Sequence, residues 1–233
     1  MTYSPVALIT GGSGGLGATT ARLLLERGHR VAVTGRDRLR LDRFTENCGS
    51  PDRLLGLVAD AADPEATQSA VDATLQRYGR LDVVVANAGF ARSDSLVDGD
   101  PSHWREMVLT NVLGPAVVVR ASVEALKATR GRIVLVGSVA GFVHAPGSLY
   151  GATKWALTGL AENARRALTG HGVGVTLVAP GGMDTTFWDN LGGRPERPML
   201  TAEQVAESIV WAVGQPPGTD VNTLVIRPIG QPV

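Results

Sequence analysis

Cysteine is nearly absent from this 233-residue chain: Cys48 stands alone, so no intramolecular disulfide can form, which agrees with a reducing compartment. No ligand cluster surrounds it, and no metal site is expected. Lysine is almost as scarce. Among 22 basic residues only Lys127 and Lys154 are lysines, and all the others are arginines. The 22 acidic residues bring the formal charge to zero, and no basic block occurs, which removes the electrostatic footprint of a nucleic-acid binder. The N-terminal stretch MTYSPVALIT lacks a basic region followed by a long apolar run, and no apolar stretch of membrane-spanning length is read. A cytoplasmic protein without nucleic-acid or membrane partners is therefore expected. At 44% hydrophobic residues, the chain can bury a substantial core.

Short β-branched runs recur at 6–10, 30–34, 54–59, 81–86, 131–137, 174–179 and 222–226, each with the unbroken apolar character of a strand covered on both faces. Helical patterns fall between them at 15–28, 37–47, 63–78, 101–129, 148–170 and 201–213. The last opens with TAEQ, in which Thr201 would cap and Gln204 would reach back. Strands alternating with helices call for a doubly wound parallel sheet of the α/β class, with helices on both faces. No repeat, linker or low-complexity tract divides the chain, so 1–233 reads as one domain.

The run ITGGSGGLGATTARLLLERG places its glycines directly after the first strand and before the first helix. Gly12, Gly14 and Gly17 have the dinucleotide spacing G-x-G-x-x-G, which allows a tight turn and a close approach of backbone amides to a pyrophosphate. A triphosphate-binding loop would need Lys after the last glycine, and here Ala18 follows Gly17. At the end of the second strand, Gly35 occupies the slot where an acidic residue would bind a ribose 2′-hydroxyl, and Arg36 follows it. A guanidinium there can grip a 2′-phosphate through paired charge-assisted hydrogen bonds, so the expected cofactor is NADP(H). Asp37, itself a candidate helix cap, is a competing partner for that arginine.

Tyr150 and Lys154 lie four residues apart in a helical pattern, on one face a single turn apart. A free phenol titrates near pH ~10, and lowering that by about three units needs about 4 kcal/mol of preference for the phenolate. One ammonium about 4 Å away supplies roughly that at an effective dielectric of about 20, before desolvation subtracts some of it. The pair therefore suggests a general acid/base poised near neutrality. Lys rather than Arg suits the position, because a flexible ammonium can contact both a phenol and a ribose hydroxyl and can pass a proton onward. Ser138 ends the strand GRIVLVG, at the crevice edge onto which the glycine loop opens, where its hydroxyl could donate to a substrate carbonyl.

Taken together, TGGSGGLG (10–17), ANAG (86–89), Asn111 in TNVLG, Ser138, YGATK (150–154) and PGGMDT (180–185) resemble the short-chain dehydrogenase/reductase family in its compact single-domain branch. The resemblance spans nearly the whole chain. It implies a Rossmann-type sheet of about seven strands, and hydride transfer between nicotinamide C4 and a carbonyl or alcohol carbon. By position it implies that Tyr150 is the acid/base, that Lys154 lowers its pKa and binds the nicotinamide ribose, that Ser138 holds the substrate oxygen, and that Asn111 anchors a water in the proton relay. It assigns Thr10, Gly11, Ser13, Gly15, Leu16 and Gly17 to the cofactor phosphates and adenosine ribose. Asp60 and Ala61 fall at the adenine, Asn87, Ala88 and Gly89 along the adenosine side, and Pro180, Gly181, Met183 and Thr185 at the nicotinamide amide. A homotetramer or dimer built through 101–129, 148–170 and the C-terminal helix and strand is implied as well.

Ala86 stands where the family usually has the first of two asparagines, and the tail VNTLVIRPIGQPV lacks the double-glycine ending of oxoacyl reductases. That tail looks more like those of NADP-dependent reductases of 3-hydroxy acids, serine or small ketones. The segment MDTTFWDNLGGRPERPML, with Gly192, Gly193, Pro195 and Pro198, reads as a mobile lid lined by Phe187 and Trp188. His144 reads as a surface residue with a possible reach to substrate. The leading expectation is an NADP(H)-dependent reductase or dehydrogenase of a small ketone, aldehyde or hydroxy acid, with a 3-oxoacyl reductase as the variant reading. A non-catalytic NADP-binding redox sensor is the alternative from another class, opposed by the intact Ser138, Tyr150 and Lys154. A sugar-nucleotide epimerase would need a larger substrate domain than the residues after Ala179 provide.

Overall fold

The computed structural model describes residues 4–92 and 95–231. Of the expected 1–233 domain, the first three residues, Ser93, Asp94 and the last two lie outside the described residues. The seven expected strands are present as β1 (Val6–Ile9), β2 (Arg30–Gly35), β3 (Leu54–Val58), β4 (Val83–Ala86), β5 (Arg132–Val136), β6 (Gly174–Pro180) and β7 (Thr223–Ile226). They pair in parallel in the order β3-β2-β1-β4-β5-β6-β7. Strands such as β1 and β4 are buried along their whole length, which is why their sequences do not alternate. At the edge, β7 alternates, with Thr223 and Val225 exposed.

Among the described residues seven α-helices cover the sheet: α1 (Gly15–Glu26), α2 (Arg38–Cys48), α3 (Pro64–Tyr78), α4 (Pro101–Val108), α5 (Gly114–Thr129), α6 (Leu149–Leu168) and α7 (Ala202–Val213). Successive strand residues feed two separate cores, because side chains alternate across the pleat. On one face Ile9, Val33 and Val85 meet Leu24, Leu41 and Ile209 of α1, α2 and α7. On the other, Leu8, Val84 and Leu135 meet Val71, Val118 and Leu157 of α3, α5 and α6. The helices start where short polar side chains can satisfy the first N–H groups: Asp63 accepts from Glu65 N and Ala66 N, Ser148 from Gly151 N, and Thr201 and Gln204 form the expected reciprocal cap. The chain reverses direction across the sheet between β1 and β4, and this opens a crevice at the carboxyl ends of those strands.

The expected helix 101–129 is broken by a π-helical turn at Leu109–Leu113. Pro115 accounts for the break, since it has no N–H to donate to the carbonyl four residues earlier, that of Asn111. The same segment corrects the reading that no membrane-length apolar stretch exists: Pro101–Thr129 contains an 18-residue window of mean hydropathy 1.3. Here it packs on the sheet, with Met107, Val118, Ser122 and Leu126 buried.

Candidate active site

The first turn is drawn tight by its neighbours. Thr10 Oγ1 accepts from Asn87 N and Ala88 N, both at 3.1 Å, while Asn87 Nδ2 donates to Thr10 O at 3.0 Å and Gly11 O at 3.1 Å. Asn87 and Ala88, at the end of β4, thus lock the glycine loop to the middle of the sheet. Gly11 has φ +65°, a left-handed conformation that suits glycine. A Cβ on Gly17 would sit 2.4 Å from the Gly11 carbonyl oxygen, and one on Gly12 2.6 Å from Val33, so neither position tolerates a side chain without movement. Gly14 and Gly15 have open space instead. They begin α1, which carries no side-chain cap and no acidic residue in its first turn, while Leu16 buries behind them. A cavity of about 280 Å³ runs beside this turn, lined in part by Ser13, Gly14, Gly15, Arg22, Thr185 and Arg194. Closed glycines beneath and bare amides above are what a dinucleotide pyrophosphate requires, so these residues fit a dinucleotide cofactor.

Further along the crevice, Gly35 lies close to the loop: a Cβ there would be 3.0 Å from Ser13 Oγ, so a side chain at this position requires that hydroxyl to shift. Asp37 does not hold Arg36; it caps α2 by accepting from Arg40 N at 3.1 Å. Arg36 instead donates to Glu106 of α4 at 2.7 Å, and Arg92 approaches the other oxygen of that carboxylate at 3.3 Å. Sequence reasoning missed Glu106 and Arg92, since nothing local links residue 106 to residue 36. Asp60 accepts from Ala62 N at 2.9 Å, at the turn after β3, and Ala61 is buried beside it.

The four expected catalytic residues converge at the far end. Ser148 caps α6 and sets its first turn, from which Tyr150 and Lys154 project on the same face, the ammonium 5.6 Å from the phenol ring centroid. The hydroxyls of Tyr150 and Ser138 are hydrogen-bonded, and Ser138 Oγ also accepts from Ala140 N at 3.1 Å. Lys154 Nζ donates to Val136 O at 3.1 Å. Asn111, fully buried on the π-helical turn, accepts from Phe90 N at 3.0 Å and donates to Phe90 O at 2.8 Å and to Thr153 Oγ1 at 3.2 Å. Gly89 fits between them: a Cβ there would lie 3.1 Å from Asn111 Oδ1 and 3.6 Å from Lys154 Nζ.

The electrostatics depart from the expected lowering of the phenol. Desolvation pushes Tyr150 up to about 12, with the Ser138 hydrogen bond pulling the other way, and desolvation brings Lys154 down to about 8. Tyr150 as a residue is only partly buried, while desolvation is the largest influence on its phenol. The ammonium is engaged by the Val136 carbonyl, which leaves burial as the dominant influence on both groups.

Pro180 ends β6, and beyond it Gly182 N donates to Gln231 Oε1 at 2.9 Å, which ties the C-terminal tail to the expected nicotinamide segment. Gly181 is hemmed in by the same Gln231 side chain, 2.5 Å from where a Cβ would be. Met183 bridges to Leu200 and accepts from Trp188 Nε1 at 2.7 Å, and Thr185 caps a 3₁₀ turn at Thr186–Asn190. That turn seats Phe187 edge-on against the Tyr150 ring, with 5.7 Å between centroids. His144 stacks on Trp155, on the outward side of α6. Among the described residues no group of His, Cys, Asp and Glu is arranged to hold a metal ion.

Residues 5–195 match the short chain dehydrogenase family. An uncharacterized oxidoreductase of Staphylococcus epidermidis is 30% identical over 96% of this chain and 97% of its own. The human dehydrogenase/reductase SDR family member 11 is likewise 30% identical, over 97% of this chain and 95% of its own. Among solved structures, an alcohol dehydrogenase from the archaeon Thermococcus sibiricus, complexed with 5-hydroxy-NADP, superposes with a TM-score of 0.90 at 28% identity, covering 99% of both chains. A serine dehydrogenase complexed with NADP+ superposes with a TM-score of 0.91 at 28% identity, covering 98% of this chain and 96% of that one.

Proposed function

The chain belongs to the short-chain dehydrogenase/reductase family, and from that premise we propose that it is an NADP(H)-dependent oxidoreductase interconverting a small ketone, aldehyde or hydroxy acid with the matching carbonyl or alcohol. When bound, the nicotinamide supplies or receives the hydride at its C4 carbon. The chain's own residues do the rest. Ser138 holds the substrate oxygen by donating a hydrogen bond to it. Tyr150, its proton held firmly at neutral pH, gives that proton to the oxygen as negative charge develops there, and takes it back in the oxidative direction. Lys154, with a value of about 8, is a donor that can resupply the phenol, and Asn111 fixes the surrounding backbone through Phe90. Phe187 supplies an apolar wall beside the phenol, which favours small substrates with an apolar flank.

The observation that carries this reading is the hydrogen-bonded Ser138–Tyr150 pair, with Lys154 on the same helix face, at the end of a crevice whose other end is a glycine cradle. The preference for NADP(H) rests on Arg36 and on the crowding of Gly35 by Ser13. It is tested by a panel of aldehydes, ketones and hydroxy acids with each reduced and oxidised cofactor, followed by nicotinamide absorbance. Turnover with NADP(H) is expected, and no turnover of any member would favour a non-catalytic nucleotide sensor. We further propose a cytoplasmic homo-oligomer joined through the β7 edge and α7, where Trp211 is 51% exposed and Val225 48% exposed. Light scattering on the purified protein checks the assembly.

A further inference from the structure

We propose that Glu106 is a specificity-determining residue for the cofactor: its carboxylate occupies the anion site of Arg36 in the free protein and lowers the preference for a 2′-phosphorylated nucleotide. The inference rests on the proposed NADP(H) reading of the crevice and assigns to it a residue outside every motif of the sequence. Glu106 lies on α4 and reaches Arg36, the residue after the end of β2. One of its oxygens accepts from Arg36 at 2.7 Å, and the other lies 3.3 Å from Arg92. Two guanidiniums therefore converge on one carboxylate, an arrangement that suits an anion with several oxygens. Arg92 is anchored over the Phe90 ring at 5.6 Å, and its Nε is buried with no hydrogen-bond partner among the described residues. Glu106 is held below its ordinary carboxylate value first by the Arg36 hydrogen bond, so it is ionised at neutral pH.

These contacts treat the two cofactors differently. A 2′-phosphate needs Arg36, so it must displace Glu106 and then share the site with a free carboxylate of the same sign. A ribose 2′-hydroxyl has no charge to place there and can donate to the Glu106 carboxylate without separating it from Arg36. Glu106 thus works against NADPH and not against NADH. Both partners of the pair are half-exposed, with 59% and 42% of the side chains accessible, so water screens the effect and its size should be modest.

Binding titrations of NADPH, NADH and 2′,5′-ADP, followed by tryptophan fluorescence, test this with Glu106→Gln, Arg36→Ala and the double variant. Glu106→Gln should bind NADPH and 2′,5′-ADP about two- to five-fold more tightly, the order expected when a screened, half-exposed ion pair is removed, with NADH unchanged or weaker. In the Arg36→Ala background the same substitution should have a smaller effect on NADPH, since the competition for Arg36 is gone and only the like-charge repulsion is left to relieve. Unchanged or weakened NADPH binding by Glu106→Gln, with Arg36→Ala still costing NADPH more than NADH, overturns the role of Glu106 and leaves the phosphate clamp standing. Equal loss of both cofactors on Arg36→Ala overturns the clamp and this inference together.

Discussion

Burial works on Tyr150 and Lys154 in the same sense, favouring the neutral form of each, and this changes what the pair can do. At about 12 the phenol keeps its proton at neutral pH, whereas at about 8 the ammonium exchanges protons readily near neutrality, which no arginine would do. The scarcity of lysine and the spacing of four marked the pair in the sequence. The direction of the phenol's shift was not legible there, because it depends on how many atoms from other elements crowd one hydroxyl. Tyr150→Phe should cut NADPH oxidation by at least about 100-fold while cofactor affinity stays within about two-fold, since in the proposed mechanism the hydroxyl acts on the substrate oxygen. Substantial residual turnover would end the acid/base assignment. Lys154 also carries a stability signature. Its folded value, about 8, lies below its ordinary 10.5, so between those pH values the unfolded chain holds the extra proton and stability rises with pH. Below pH ~8 the full penalty applies, about 3 kcal/mol, offset by about 1 kcal/mol for the hydrogen bond to Val136. Lys154→Met should therefore be about 2 kcal/mol more stable than the parent in urea at pH 7, an advantage that disappears toward pH 10. A difference independent of pH would mean that the buried charge carries no such cost.

Two connections decide whether the elements present their residues correctly, and they differ in how plainly the sequence announced them. The strand-to-helix glycine loop was legible in full, because Gly12 and Gly17 have no room for a side chain and only glycine satisfies that packing. The interrupted helix at 101–129 was not foreseen, although Pro115 was a sign that the ladder would break one turn earlier, where Asn111 turns inward to bind both backbone groups of Phe90. Helical periodicity averages over such a single-turn defect, so it goes unseen in a hydrophobic pattern. Asn87 is the fastener between the first and fourth strands, and Asn87→Ala would leave two carbonyls, Thr10 and Gly11, without that donor. The expected cost is about 1–3 kcal/mol of stability in urea unfolding, together with weaker cofactor binding from a loosened loop. If stability falls but cofactor affinity does not, the loop's geometry is maintained without Asn87, and the fastening has no bearing on the site.

At the scale of the molecule, alternating strands and helices with right-handed crossovers call for a parallel sheet covered on both faces, which is why the class of architecture could be read before any contact was known, whereas the strand order comes from the pairing itself. What pattern alone could not supply are the long-range side-chain contacts, such as Arg36 with Glu106 and Gly182 with Gln231, because each joins segments far apart in the chain. The crevice crosses both halves of the sheet, so a ligand filling it ties the β2 end to the β6 end and should stabilise the fold as a unit. By mass action, a ligand present at about 100 times its dissociation constant adds about 2.7 kcal/mol. For a chain of this size each kcal/mol raises the unfolding midpoint by about 2–4 °C, which predicts a shift of about 5–10 °C with saturating NADPH. At the same concentration, a ten-fold weaker affinity for NADH lowers the stabilisation by about 1.4 kcal/mol and the shift by about 3–6 °C. If Arg36 is the phosphate clamp proposed above, Arg36→Ala should collapse the gap between the two cofactors while leaving the NADH shift in place. Equal shifts for both cofactors in the unmodified protein would separate the fold, which stands on its topology, from the cofactor preference, which would then have to be abandoned.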